Sequence, residues 1–406
     1  VADLSSEPAP AHERHRVPRW AAIAAIYLVA RLITTGFLLL AANLSTASSR
    51  FGADADLGSL LGGWDAAWYA YIAAVGYPTD LPLSADGFVE TNQWAFMPVY
   101  PYLSAVVGAP FGSWLAGAVV VSLAAGYGAC LVLFALLRDR IGDSPAMWAV
   151  VFFSVGPLAA LFHVGYAESL FLLLLFLALW AVMRRRFAWV YPLIVVMGYT
   201  RPGVLAFALF LGLYGIHRWF TRRRDPLPVR DIVHIVALGA LATIVGFSWQ
   251  FIAAAVTGSP SAYLDTELAW RRGWIDTSEH FVPFSGFIEG AALWFRLWGL
   301  PEVAAYVVLG LVVAGIAAVL LFVPAVKALG PEIRLWSASY LVYLLAVFFP
   351  QSSVFRLLVP LSPLWGAAAV PRSVWWRGGV VAVCLLGQWW WIYNMYALAS
   401  MYWQIP

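Results

Sequence analysis

Apolar segments of roughly 15 to 25 residues recur along the whole chain, each about long enough, as a helix, to cross a hydrocarbon core some 30 Å thick. A backbone in lipid must satisfy its own hydrogen bonds, so a chain built this way folds as a bundle of helices. Composition agrees: of 406 residues, 63% are hydrophobic and 11% charged, outside the range of water-soluble domains. Spans are predicted near 20–42, 114–137, 145–162, 169–183, 187–200, 203–220, 232–256, 303–323, 335–349, 357–369 and 378–397, about eleven in all. The stretch 96–110 is apolar but punctuated by prolines, and is expected at the interface or as a shallow re-entrant helix.

The positive charges orient this layout. Basic residues around Arg14–Arg19, Arg138–Arg140, Arg184–Arg186, Arg218–Arg230, Lys327–Arg334 and Arg372–Arg377 fall on one face. That face is the cytoplasmic one, so the N-terminus lies in the cytoplasm of a multi-pass plasma-membrane protein. Arg31, Arg50, Arg201, Arg271, Arg272, Arg296 and Arg356 break the pattern and need another reason to exist. The basic residues are dispersed between spans, which argues against a nucleic-acid partner. Lys327 is the only lysine, a weak sign of a GC-rich, actinobacterium-like genome.

Residues 1–19 form a polar tail rich in Pro and Ser, expected to be disordered and lacking the order of regions of a cleaved signal peptide. The rest, 20–406, reads as one integral-membrane domain with outer loops at 43–113 and 257–302. Cys130 and Cys384 both lie in predicted spans, so no disulfide between outer loops is expected. No Cys/His cluster has zinc-site spacing.

The first outer loop holds WDAAWYAYIAAVGYP at 64–78. As a helix it forms an apolar, aromatic stripe of Trp64, Trp68, Tyr71, Ile72 and Val75, with Asp65 and Tyr69 one turn apart on another face. Such a helix lies flat in the headgroup zone, anchored by Trp and Tyr. Two readings of Asp65 stand side by side: a charge at a helix N-terminus after Gly62 and Gly63, or an acid held at the membrane surface for chemistry.

This run, followed by WAFMPVYPYL at 94–103, YAESLF at 166–171 and TRPG at 200–203, resembles the PIG-V-like mannosyltransferases of the GT-C superfamily in order and spacing. SSVFRLLVPLSPLW at 352–365 resembles the family's late Arg-then-Pro segment more loosely. Pro202 and Gly203 stand where that family usually shows Ser and Asn. The resemblance implies an all-α, GT-C-type bundle of about eleven transmembrane helices, with amphipathic helices in the first extracytoplasmic loop. It also implies transfer of mannose from a polyprenyl-phosphate donor on the outer side, with Asp65 at the position of the family's base.

Chemistry asks for the same parts. Inverting glycosyl transfer needs a carboxylate to take the acceptor proton and positive charge beside the departing phosphate. Arginine supplies that charge in a forked, permanently ionised form. Arg201 and Arg356, both at outer span ends, are the first phosphate candidates, and Arg271 and Arg272 the next. Each could instead be a structural ion pair. Glu168 is expected either to bind sugar hydroxyls or to hold one of those arginines. Trp64 and Tyr69 would shape the sugar pocket. Gln93 is a candidate for a sugar hydroxyl, and His163 for the carrier phosphate or a plain structural role. Arg31, in mid-span, should face the bundle and be paired. Asp54 and Asp56 match the D-x-D pattern that holds a divalent ion, a lesser alternative to the metal-independent reaction expected here.

The acceptor would be a glycolipid, a lipoglycan or a protein hydroxyl, and the carried sugar could be arabinose in place of mannose. A transporter or flippase of lipid-linked sugars is the competing class. Such proteins show repeats and helices broken near mid-membrane, whereas here no repeat is found and polar residues collect at one outer surface.

Overall fold

The computed structural model describes residues 17–275, 280–400 and 403–406. Most of the expected tail, with Arg14 and Arg16, therefore lies outside the described residues, as do Asp276 and Glu279 in the second outer loop. Pro18, with no N–H to leave unpaired, precedes the first helix, α1 (Arg19–Leu44). Then come α2 (Leu57–Leu61), α3 (Asp65–Val75), α4 (Val99–Gly108), α5 (Trp114–Ile141), α6 (Asp143–Val155), α7 (Glu168–Met183), α8 (Phe187–Gly198) and α9 (Val204–Thr221). The second half adds α10 (Val229–Thr257), α11 (Ala262–Arg272), α12 (Ser285–Leu297), α13 (Glu302–Phe322), α14 (Pro324–Lys327), α15 (Pro331–Val347), α16 (Val354–Leu357), α17 (Trp365–Ala369) and α18 (Val374–Ile392).

Among the described residues there is no β-strand, only an isolated bridge between Leu83 and Val89. Helices α1, α5, α9, α10 and α13 are long and apolar enough to cross a membrane, and α4, α6, α7 and α8 are shorter apolar helices. The chain is an all-α, polytopic membrane protein. Its helices follow the expected spans closely where those are uninterrupted. Three expected spans are divided. The 145–162 span ends its helix at Val155, before Gly156 and Pro157, and resumes as a 3-10 turn at Ala159–Phe162. The 357–369 span is a short α16, a Pro-bearing 3-10 turn at Val359–Leu364 and a short α17. The last span finishes in a π turn at Tyr393–Leu398.

Arg31 explains how the first of these breaks is tolerated. Its guanidinium donates to the carbonyls of Ser154, at 2.6 Å, and of Ala159, while lying over the rings of Tyr27 and Phe162. The charge thus faces the bundle, paired with backbone dipoles that the interrupted helix leaves open.

α5 is the central post, packed against α4, α6 and α7. Its contact with α4 is backbone to backbone: a Cβ on Gly117 would sit 2.1 Å from the Ser104 carbonyl oxygen. At one end of the bundle, Arg19 pairs with Asp143, Arg140 with Glu332 (2.8 Å), Arg184 with Asp139, and Arg185 with Asp225. These exposed pairs add little stability, but they show that the basic clusters share a face. The other end carries α2, α3, α4, α11 and α12. α13 stands apart, with only 11% of its membrane-length window buried.

Candidate active site

Gly62 and Gly63 bring the chain into a tight approach: a Cβ on Gly63 would lie 2.4 Å from the Phe51 ring. The next residue, Trp64, has φ +54° and ψ −123°, a conformation costing an L-residue about 1–3 kcal/mol. It is held there from three sides. The indole Nε1 donates to the Met395 carbonyl at 3.0 Å, Arg50 lies over the ring at 4.4 Å, and Phe51 meets it edge-on at 6.2 Å. This twisted entry starts α3 with Asp65 as its first residue, in the favourable field of a helix N-terminus.

The Asp65 carboxylate is turned to Arg356, accepting from Nη1 at 2.6 Å. The guanidinium is shared: its Nε lies 3.2 Å from Glu168 Oε1, and Arg201 Nη2 approaches the same oxygen at 3.4 Å. Asp65, Arg356, Glu168 and Arg201 therefore form one connected cluster drawn from four distant segments. Exposure is graded across it. The side chains of Asp65 and Arg356 are 23% and 13% exposed, those of Arg201 and Glu168 8% and 3%, so the cluster is most exposed at its Asp65 side.

Local structure explains each position. Glu168 begins α7. Just before it, the Gly165 N–H donates to the Leu61 carbonyl at 3.0 Å, and a Cβ on Gly165 would press on Ala66 at 3.1 Å. That approach sets Tyr166 under the Arg356 guanidinium, 5.3 Å from its ring centre. Arg201 sits in the turn between α8 and α9, where Gly203 adopts φ +142° against Phe171. The Tyr199 carbonyl in the same turn accepts from the Val99 N–H, joining it to α4. Arg356 lies on α16, pinned by hydrogen bonds from Tyr340 Oη to the Leu357 carbonyl and from Trp336 Nε1 to the Pro360 carbonyl.

Burial pushes the Asp65 carboxyl above the usual aspartate range; Arg356 opposes the shift and Glu168 adds to it. For Arg356 burial works against the charge, but the Asp65 and Glu168 carboxylates more than offset it, and the guanidinium stays ionised.

The other sequence candidates lie elsewhere or in other roles. Tyr69 packs its ring between Phe96 and Tyr100, though its hydroxyl is within electrostatic reach of Glu168 and Asp65. Trp64 spends its N–H and one face on the contacts above. Arg271 pairs with Glu289 and donates to Ser285 at 3.0 Å. Arg272 donates to the carbonyls of Val89 and Asp265. His163 is buried with Nε2 3.3 Å from Thr35 Oγ1. Gln93 is buried in the 3-10 turn Gln93–Ala95. Asp56 accepts from the N–H and hydroxyl of Ser59, capping α2. Among the described residues no group of three or more His, Cys, Asp or Glu is arranged to hold a metal.

Three aromatic residues near the cluster carried no sequence signal of their own. Tyr396 lies beside Tyr166 within electrostatic reach of Arg356 and Asp65, while Tyr340 and Tyr343 reach Arg201 from α15.

No protein-family model and no curated protein sequence matches the chain. Among solved structures it is similar to the oligosaccharyltransferase of Archaeoglobus fulgidus in complex with zinc and sulfate, at 15% identity and a TM-score of 0.45, covering 94% of this chain and 53% of that one. It is likewise similar to the oligosaccharyltransferase AglB of the same organism bound to an inhibitory peptide and a dolichol-phosphate, at 13% identity and a TM-score of 0.45, covering 96% of this chain and 56% of the other. The chain spans about half the length of the structures it matches.

Proposed function

We propose that this protein is an integral-membrane, inverting glycosyltransferase of GT-C type that moves mannose from a polyprenyl-phosphate carrier to a hydroxyl of a lipid- or protein-linked glycan. The observation that carries the reading is the cluster itself: a partly exposed carboxylate at a helix N-terminus, in contact with a guanidinium, with a second guanidinium tied in through Glu168. The resemblance of 64–78, 94–103, 166–171 and 200–203 to PIG-V-like enzymes supports mannose as the sugar. The basic clusters at the opposite end support a site on the outer face of the plasma membrane, with the N-terminus in the cytoplasm.

In this reading Asp65 takes the proton of the acceptor hydroxyl as that oxygen bonds to the anomeric carbon. The bond from that carbon to the phosphate oxygen breaks, and its electron pair leaves with the polyprenyl phosphate. Arg356 and Arg201 receive the charge that builds there, in place of a divalent ion. Glu168 is the positioning residue that holds the two arginines side by side. Carrier phosphate arriving at Arg356 competes with Asp65 for its guanidinium, so donor binding frees the base.

The deciding experiment is sugar transfer from polyprenyl phosphomannose, by purified protein in lipid, to a glycolipid extract. Asp65→Asn is expected to lower the rate by about 10²–10⁴-fold with its helical circular dichroism unchanged. Transfer at the wild-type rate by a folded Asp65→Asn protein ends the proposal.

A further inference from the structure

The outer helix α11 carries an acid, Glu267, with no cation paired to it among the described residues. Glu267 shares a helix face with Tyr263 and Trp270, one turn to either side. The Trp270 ring meets Trp68 and Phe96 at 6.0 and 6.3 Å, so this face is turned to α3, the helix that begins with Asp65. Its carboxyl is half-buried and within hydrogen-bonding reach of the Tyr263 hydroxyl. Tyr343 on α15 is within electrostatic reach of Glu267 and also of Arg201, which puts Glu267 on the Arg201 flank of the cluster.

The neighbouring acids differ in kind. Asp265 accepts from the Ser261 hydroxyl at 2.6 Å, and Glu289 is paired with Arg271. Among the described residues Glu267 has no ion-pair partner. Burial pushes its carboxyl up to about 7, against an opposing hydrogen bond from Tyr263. An acid removed from water without a compensating charge is costly, and on a helix face turned to α3 that cost is the mark of a group kept for a ligand. The chemistry narrows the ligand. A carboxyl flanked by aromatic side chains, with acceptor capacity left beyond the Tyr263 hydroxyl, suits the hydroxyls of a sugar, whereas a phosphate there would meet like charge.

Resting on the glycosyltransferase reading, we propose that Glu267 recognises the carried sugar, its carboxyl accepting hydrogen bonds from the sugar's hydroxyls on the Arg201 side of the phosphate, across the cluster from Asp65. Arg201 and Arg356 then bind what every polyprenyl-phosphate donor shares, and Glu267 reads what distinguishes one donor from the bare carrier.

The test titrates the intact protein in lipid nanodiscs, by its tryptophan fluorescence, with short-chain polyprenyl phosphate and with the matching polyprenyl phosphomannose. Glu267→Gln is expected to bind the mannosyl form about tenfold more weakly, the loss of roughly one charge-assisted hydrogen bond, while its affinity for the bare phosphate stays at the wild-type value. Glu267→Asp should recover part of the loss. Equal weakening toward both ligands, or none toward either, overturns the assignment. The bare phosphate tests the underlying reading separately: Arg356→Gln must weaken both ligands. A wild type that binds neither ligand, or an Arg356→Gln protein that binds both normally, refutes the carrier-phosphate site, and the role of Glu267 falls with it.

Discussion

A carboxylate that takes a proton from a sugar hydroxyl must be basic enough to accept it and still be ionised at the working pH. In the proposed reaction Asp65 would meet both demands through opposed neighbours. Burial raises its affinity for a proton, and Arg356 at 2.6 Å keeps the charged form accessible. Transfer requires the charged form, so it should fail as pH falls through this raised value. The acid limb of kcat/KM is therefore expected above the range of an ordinary aspartate, and a limb at or below that range would contradict the role of burial. Arg356→Gln removes the charge that opposes the rise, so the same limb should move to still higher pH. Its maximal rate should also fall by about 10²–10³-fold, as for loss of one group facing developing charge. A pH–rate profile of the two proteins measures both effects.

Interrupted elements place the cluster, and their integrity rests on side chains far from it. The α6 break feeds directly into Gly165, Tyr166 and Glu168, and Arg31 holds that break by two carbonyls. Arg31→Met leaves both acceptors unpaired within the bundle, and should lower unfolding stability in detergent by about 2–4 kcal/mol; an unchanged melting curve would deny the bridge. Much at this scale was legible in the chain, because membrane crossing imposes a length and apolar runs record it. The meeting of Asp65, Glu168, Arg201 and Arg356 was legible too, since each is the polar member of an otherwise apolar segment at one level of the membrane. Breaks such as those at Pro157 and Pro360 were harder to read, because one Pro lowers the mean hydropathy of an apolar run only slightly. Other long-range partners left no trace either. Nothing near residue 64 announces that its indole N–H is taken by Met395, or near residue 271 that Glu289 on α12 holds that arginine. Glu267 was one acid among several in a polar loop until the structure set it with Tyr263 and Trp270 on the face of α11 turned to α3.

The whole molecule is polarised from end to end. Basic clusters and their ion pairs occupy one end, and Asp65, α3 and α11 the other, so the two ends should answer differently to a reagent that cannot cross the membrane. Cys130 and Cys384 are buried and leave a quiet background. A cysteine in place of exposed Asp86 should be labelled in intact cells by an impermeant maleimide, and one in place of exposed Arg223 only after permeabilisation. Labelling in the reverse order would put the site in the cytoplasm. α13 gives this polarity a scale. Its 21 residues span about 31 Å at the usual helical rise, close to the hydrocarbon thickness of a bilayer. It has few protein neighbours along its length, while its two ends pack on α12 and α14. Its length is a draught mark on a hull, a gauge of the bilayer thickness the protein is matched to. A bilayer too thick or too thin is expected to tilt that one helix and leave the Asp65 cluster at its own depth.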